Sequence, residues 1–205
     1  FHPDKVSAVG ALSVPFSPRP EAPPLDTLKA IFKDMFFYQL YFQAPGVAEA
    51  ELEQNVKQSL RKFYHMASGD IDIADFTPRP ADADLLSDTP DPGKLGPWCS
   101  EEDLEFYTAE FSASGFRGPL NYYRNHNLTW QLTEGAPRQI TQPAMFMAGQ
   151  KDGVIMMAAE ALKAMDKNVP NQVLHELIPD CGHWTQQEAP DAVNKGILKF
   201  LEQVS

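Results

Sequence analysis

Cysteine is almost absent from these 205 residues: only Cys99 and Cys181 occur, far apart and outside any CxxC spacing. Two thiols so placed suggest neither a disulfide framework nor a zinc site, and both read as idle side chains. Positive charge is scarce as well. Seventeen Lys and Arg stand against 28 Asp and Glu, giving a formal net charge of -11 and a pI near 4.8. Such a chain repels a phosphate backbone, and no local Lys/Arg cluster offsets the repulsion, so nucleic acid is not an expected partner. No apolar run is as long as a bilayer span, and the first residues lack the basic-then-apolar pattern of a secretory signal. No membrane partner is expected, and a cytoplasmic location is compatible with this composition.

What is present suffices for a substantial core, with 43% hydrophobic and 22% charged residues. Residues 6–14 (VSAVGALSV), closed by Pro15, form a run of small, branched and apolar residues suited to a strand buried on both faces of a parallel sheet. Residues 144–148 (AMFMA), stopped by Gly149, and 173–178 (VLHELI), stopped by Pro179, make two more, so three interior strands are expected. A helix over 155–165 (IMMAAEALKAM) returns the chain from the second to the third as a βαβ crossover does. The last helix starts at Pro190 and Asp191 and sets Val193, Ile197, Phe200, Leu201 and Val204 on one face.

Between the first two strands lies a region of another kind, opened by the proline-rich residues 18–24. Leu52, Val56, Leu60 and Phe63 give one helical stripe, and Leu104, Tyr107 and Phe111 give a second after Ser100, a plausible N-cap. Residues 78–98, rich in Pro and Asp and without periodicity, read as a long irregular loop. A helical block inserted between consecutive strands suggests a lid over the carboxyl ends of the sheet, where open α/β sheets bind ligands. The expected organisation is a core strand within 1–17, a helical lid over 18–138, and the rest of the α/β core over 139–205.

Asp152 stands just beyond the second strand and His183 just beyond the third. A carboxylate behind an imidazole fixes its tautomer and stabilises the imidazolium formed when the ring takes a proton from water. Taken singly, Asp152 reads equally well as a helix cap and His183 as a loop histidine; their order, each after a strand, is that of acid and histidine in an α/β-hydrolase triad. No GxSxG nucleophile elbow occurs. The chain opens at Phe1 without Met, and Phe1-His2-Pro3-Asp4-Lys5 reads as a helix end followed by a turn. An upstream segment is therefore expected, with the nucleophile roughly a dozen residues before Phe1, one helix length away.

Residues 37–53 (FYQLYFQAPGVAEAELE) and 114–125 (SGFRGPLNYYRN) resemble the lid of the soluble epoxide hydrolases, and Val14-Pro15-Phe16, Lys151-Asp152 and residues 181–186 (CGHWTQ) are similar to that family too. The resemblance covers nearly the whole chain and implies the C-terminal part of an α/β-hydrolase fold, a mostly parallel sheet with an inserted helical lid. It matches Tyr38 and Tyr123 to the lid tyrosines that hydrogen-bond the epoxide oxygen, Asp152 to the triad acid and His183 to the general base. It implies no metal or organic cofactor, a small-molecule epoxide as substrate, and a covalent aspartyl ester as intermediate. The family's His-Asp-Trp-Gly-Gly elbow and His-Gly-x-Pro loop are not in this sequence, so the missing N-terminal half of the fold is an expected partner and the chain alone is expected to be inactive. A homodimer is one candidate assembly.

Pro15, Phe36, Gln39, Phe42, Val154 and Trp184 flank the matched positions and are candidates for lining the substrate cleft, with core packing as the alternative for each. Tyr41, Tyr64, Tyr107 and Tyr122 are expected to pack with satisfied hydroxyls, and His2, His65, His126 and His175 show no partner pattern. Two other functions compete: a noncatalytic fragment or binding protein that keeps the cleft, and a haloalkane dehalogenase-like hydrolase. The dehalogenase needs halide donors in place of paired phenols.

Overall fold

The computed structural model describes residues 2–71 and 77–205. They divide into two compact units, one comprising residues 2–19, 67–71 and 135–205, the other residues 20–66 and 77–134. In the first unit β1 (Val9–Leu12), β2 (Ala144–Gly149) and β3 (Gln172–Ile178) form a parallel sheet in the order β1-β2-β3. Val9 pairs with Ala144 and Leu12 with Met147, and β3 runs alongside β2 from Gln172 to Ile178 with one irregularity at Ala144/Met145.

Among the described residues only β2 is flanked by a strand on both sides. All six of its residues are buried, whereas β1 is partly exposed and β3 mixes buried and exposed positions. The expectation of three interior strands is thus corrected, because among the described residues β1 and β3 each pair on one side only. The apolar run of residues 6–14 also shortens to four strand residues, with Val14 57% exposed beyond them.

The long connection from β1 to β2 carries the second, helical unit. It contains α1 (Pro24–Ile31), α2 (Tyr38–Tyr41), α3 (Val47–Leu52), most of α4 (Val56–Ala67), α5 (Glu101–Ser114), α6 (Arg117–Arg124) and α7 (His126–Leu132). Its core gathers Phe42, Ala48, Leu52, Leu60, Leu85, Leu86, Leu104, Phe116 and Leu120, with Phe63, Tyr107 and Phe111 packed against it. The first stripe read from the sequence therefore spans two helices, since Leu52 ends α3. Ser100 caps α5 by accepting from Asp103 N–H at 3.1 Å, and the Asp103 carboxylate accepts from Ser100 N–H in return.

Residues 78–98 hold turns and an isolated bridge from Met35 to Pro80 in place of regular structure. The Glu51 carboxylate fixes this loop by accepting from Leu85 N–H and Leu86 N–H at 3.0 and 2.7 Å and from the Tyr41 hydroxyl at 2.7 Å.

Back in the first unit, α8 (Gly153–Met157), α9 (Ala159–Lys163) and α10 (Met165–Asn168) connect β2 to β3, and α11 (Thr185–Glu188) and α12 (Pro190–Val204) follow. Side chains alternate across β2 as strand geometry requires. Met145 and Met147 meet Val193 and Phe200 of α12, while Ala144, Phe146 and Ala148 meet Ile155, Met165 and Val169 on the other face. Helix α12 lies close enough that a Cβ on Gly196 would fall 2.4 Å from Met147 Sδ.

Two helical expectations change. Residues 155–165 are three short helices, not one. On a straight helix Ile155 and Met165 would point about 80° apart, yet both pack in the cluster on β2, and the breaks allow this. Leu201 is 50% exposed, because it sits about 80° around α12 from Val193. Both cysteines are free and buried, and burial pushes the Cys181 thiol up to about 12. No helix among the described residues is long and apolar enough to cross a membrane.

Candidate active site

Asp152 follows β2 at the turn into α8, and its two oxygens divide the work. Oδ1 accepts from Val154 N–H at 2.8 Å as the cap of α8, while Oδ2 lies 2.9 Å from His183 Nδ1. The cap and the imidazole partner are therefore the same residue. The carboxylate side chain is 1% exposed and the imidazole 27%. The acid is sealed behind a ring that opens outward, and with Nδ1 committed to it, Nε2 is the nitrogen left to take a proton.

The loop carrying His183 is held by backbone contacts. After β3, Asp180 adopts a left-handed φ of 55°, and Gly149 and Gly182 permit close approach: a Cβ on Gly149 would fall 2.1 Å from Cys181 O, and one on Gly182 2.2 Å from Gly69 N. His183 N–H donates to Ala67 O at 2.8 Å. On its other side the His183 carbonyl accepts from the Ser13 hydroxyl at 2.8 Å, and Ser13 Oγ also lies 2.8 Å from Thr185 Oγ1. Ser13 is buried, sits just past β1 and has a φ of 63°, so left-handed non-glycine residues occur after both edge strands. Backbone in that region is sparsely populated and is retained where surrounding structure over-determines it.

In the helical unit Tyr38 opens α2 and Tyr123 lies near the end of α6. Their rings meet edge to face with centroids 5.7 Å apart. Gln39 Nε2 donates to the Tyr38 hydroxyl at 2.9 Å. Burial, then the neighbouring Tyr38, push the Tyr123 phenol up from its ordinary value, and the His126 ring 5.7 Å away is itself pushed down by burial. Arg124, next in chain, clamps α6 in place. Its guanidinium forms a two-pronged ion pair with Glu49 at 2.6 and 2.8 Å and donates to Phe42 O at 2.8 Å. That contact holds the Glu49 carboxyl down at about 2.

The remaining candidates are placed as follows. Phe42, 2% exposed, meets both Tyr38 and Tyr123 in edge-to-face contacts. Phe36 lies under the Arg79 guanidinium at 4.1 Å and beside Tyr41. Pro15 is buried, Val154 is half-buried with its N–H on Asp152, and the half-buried Trp184 sets its ring 5.2 Å from His183. Asp152 and His183 come together in the first unit, and Tyr38, Gln39, Phe42 and Tyr123 in the second. Of the tyrosines expected to pack, Tyr64 meets Tyr107 and is pushed up to about 12 by burial, but Tyr122 is 82% exposed, since it faces away from the α6 side that buries Leu120. Ser13 and Glu188 serve the histidine loop and carried no sequence signal, because backbone contacts have no characteristic spacing. The groups of His, Cys, Asp and Glu that could hold a metal ion number none among the described residues.

No protein-family model matches the chain. It is 39% identical over 204 residues to the bifunctional epoxide hydrolase 2 of Rattus norvegicus, covering 98% of this chain and 36% of that protein. It is 38% identical over 209 residues to epoxide hydrolase A of Mycobacterium tuberculosis, covering 98% of this chain and 63% of that protein. The solved structure of an epoxide hydrolase from an endophytic Streptomyces superposes with a TM-score of 0.92 at 39% identity, over 98% of this chain and 62% of that one. The chain thus spans between about a third and two thirds of the length of these relatives. In sequence and in fold, the chain belongs to the epoxide hydrolase family of the α/β-hydrolase fold.

Proposed function

We propose that these 205 residues supply the proton donors and the water-activating pair of an enzyme that converts an epoxide to a vicinal diol. The carboxylate nucleophile would come from a segment of the protein outside them. In the first step that carboxylate attacks one epoxide carbon, the carbon–oxygen bond breaks, and the leaving alkoxide takes a proton. Alkoxides are strongly basic, so the donor has to remain protonated at neutral pH, which a phenol does. Tyr38 and Tyr123 would be these donors, assistance of a kind worth about 10²–10⁴-fold. In the second step His183 Nε2 takes a proton from water, the hydroxide attacks the ester carbonyl, the ester carbon–oxygen bond breaks as the departing diol oxygen takes a proton back from the imidazolium, and the nascent carboxyl gives its proton to the phenolate, so that carboxylate, phenol and imidazole are all restored. Asp152 holds the ring and stabilises the imidazolium.

The observation that supports this reading most directly is the 2.9 Å contact between His183 Nδ1 and a sealed Asp152 at the ends of adjacent strands. The names of the relatives support epoxide hydrolysis as the overall reaction. His183→Gln in the intact protein tests it. Mixing with epoxide should leave a covalent adduct of one substrate mass, seen by mass spectrometry, with turnover nearly abolished. Loss of turnover without any adduct means that His183 does not serve ester hydrolysis alone.

A further inference from the structure

Glu188 ends the short helix α11, five residues beyond His183, and its carboxylate turns back toward the histidine loop. Oε1 accepts from Trp184 N–H at 3.0 Å, and Oε2 accepts from both Gly182 N–H and Gly69 N–H at 2.8 Å. The residues immediately before and after His183 are thus bound to one carboxylate, and His183 N–H between them donates to Ala67 O. Residues 67–69 lie directly against the loop: a Cβ on Gly182 would fall 2.2 Å from Gly69 N, and one on Gly69 would fall 2.7 Å from Asp180 O and 3.0 Å from Glu188 Oε2. Two backbone segments meet there with no room for a side chain, and the Glu188 carboxylate is the acceptor they share. Charge-assisted bonds of this kind are stronger than neutral ones.

We infer that Glu188 is the positioning residue of His183, fixing the backbone on both sides of the imidazole so that Nε2 is aimed while Asp152 holds Nδ1. The inference deepens the proposed reaction and rests on His183 acting as the hydrolytic base. Its consequence is selective. A swing of the 182–184 backbone moves Nε2 relative to the ester and should slow hydrolysis, whereas alkylation, which draws on the nucleophile and the phenols, has no need of that aim. Glutamine at 188 keeps the length of the side chain but puts an amide NH₂ where at least one N–H now finds an oxygen; aspartate keeps both oxygens on a shorter arm.

The test uses the intact protein and its Glu188→Gln, Glu188→Asp and His183→Gln variants, with rapid-mixing rates for alkylation and for ester hydrolysis and a thermal melt of each. Glu188→Gln should slow hydrolysis about 10- to 100-fold, the scale expected of a catalytic group misplaced by about an ångström, with alkylation within about twofold of the parent. Glu188→Asp should recover much of the lost rate. Unchanged hydrolysis in folded Glu188→Gln, or equal slowing of both steps, overturns the inference. Should Glu188→Gln not fold, Glu188→Ala, which leaves all three N–H groups without the carboxylate, decides by the same criterion: slowing confined to hydrolysis supports the role, and slowing of both steps or neither overturns it. His183→Gln separates the layers, for if that variant hydrolyses its ester at the parent rate, the base itself has been misassigned whatever the Glu188 variants do.

Discussion

A phenol that is to protonate an alkoxide must keep its proton until the carbon–oxygen bond breaks. Tyr123 is suited to this, since burial and the adjacent Tyr38 ring both push its phenol above the ordinary value. Replacing Tyr38 or Tyr123 with Phe removes a hydroxyl and keeps the ring, so the edge-to-face packing among Tyr38, Phe42 and Tyr123 should survive. Each single change should slow alkylation and leave partial activity; the double change should cost far more, about 10²-fold or beyond, while ester hydrolysis changes little. Rapid-mixing kinetics of the double variant check this, and an unchanged alkylation rate would reduce both tyrosines to packing and reopen the dehalogenase-like alternative. At this scale the pairing of Asp152 with His183 was legible in the sequence because each stands just beyond a strand, and the two side chains meet at 2.9 Å. The sequence was silent on Glu188 and Ser13, which act through backbone groups of the histidine loop that follow no motif.

Elements are placed by contacts that propensity does not encode. Helix α6, which carries Tyr123, is tied by Arg124 to Glu49 of α3 and to the carbonyl of Phe42 just past α2. Both ion-pair side chains are largely buried, at 11% and 13% exposed, so this pair is less screened than an open surface pair. The folded carboxyl of Glu49 is held at about 2, well below the ordinary glutamate range, by the Arg124 guanidinium. A depressed folded value contributes stability that is fully present above the unfolded value and is lost as pH falls toward the folded one. Glu49→Gln should therefore destabilise the protein by about 1–3 kcal/mol at neutral pH, and the difference from the parent should shrink as pH drops from about 5 to about 2. Chemical denaturation across that range measures it; a difference independent of pH would mean that Arg124 and Glu49 are not coupled. The stripe on α5 was legible because one long helix repeats its pattern. The breaks between α8, α9 and α10 were not, since no glycine or proline marks the last two and packing on β2 decides them.

For the whole molecule, the chemistry sets a minimum inventory: a nucleophile to form an ester, acids to meet the alkoxide, and a base to activate water. The carboxylate hydrogen-bonded to His183 is Asp152, and both of its oxygens are engaged, one by Val154 N–H and one by the imidazole. Sealed behind the ring, it is placed to orient a base and not to attack a carbon. The 205 residues purified alone should then hydrolyse no epoxide, because activated water has no ester to meet. The sheet suggests a second property of the isolated chain. Val9 N–H and Ser13 N–H bond toward the β2 side, so by the alternation of a parallel ladder Gly10 and Leu12 present their backbone groups to the opposite edge. A parallel sheet is stable when both faces are covered and its edges are paired or protected, and an open β1 edge invites association with other chains. The chain alone should therefore bind a hydrophobic dye and self-associate in sedimentation, and co-expression with the segment bearing the nucleophile should suppress both effects and produce turnover of a styrene-oxide-like substrate. Turnover by the purified 205 residues, with no other polypeptide present, would show that a nucleophile lies within them and that the division of labour proposed for this chain is mistaken.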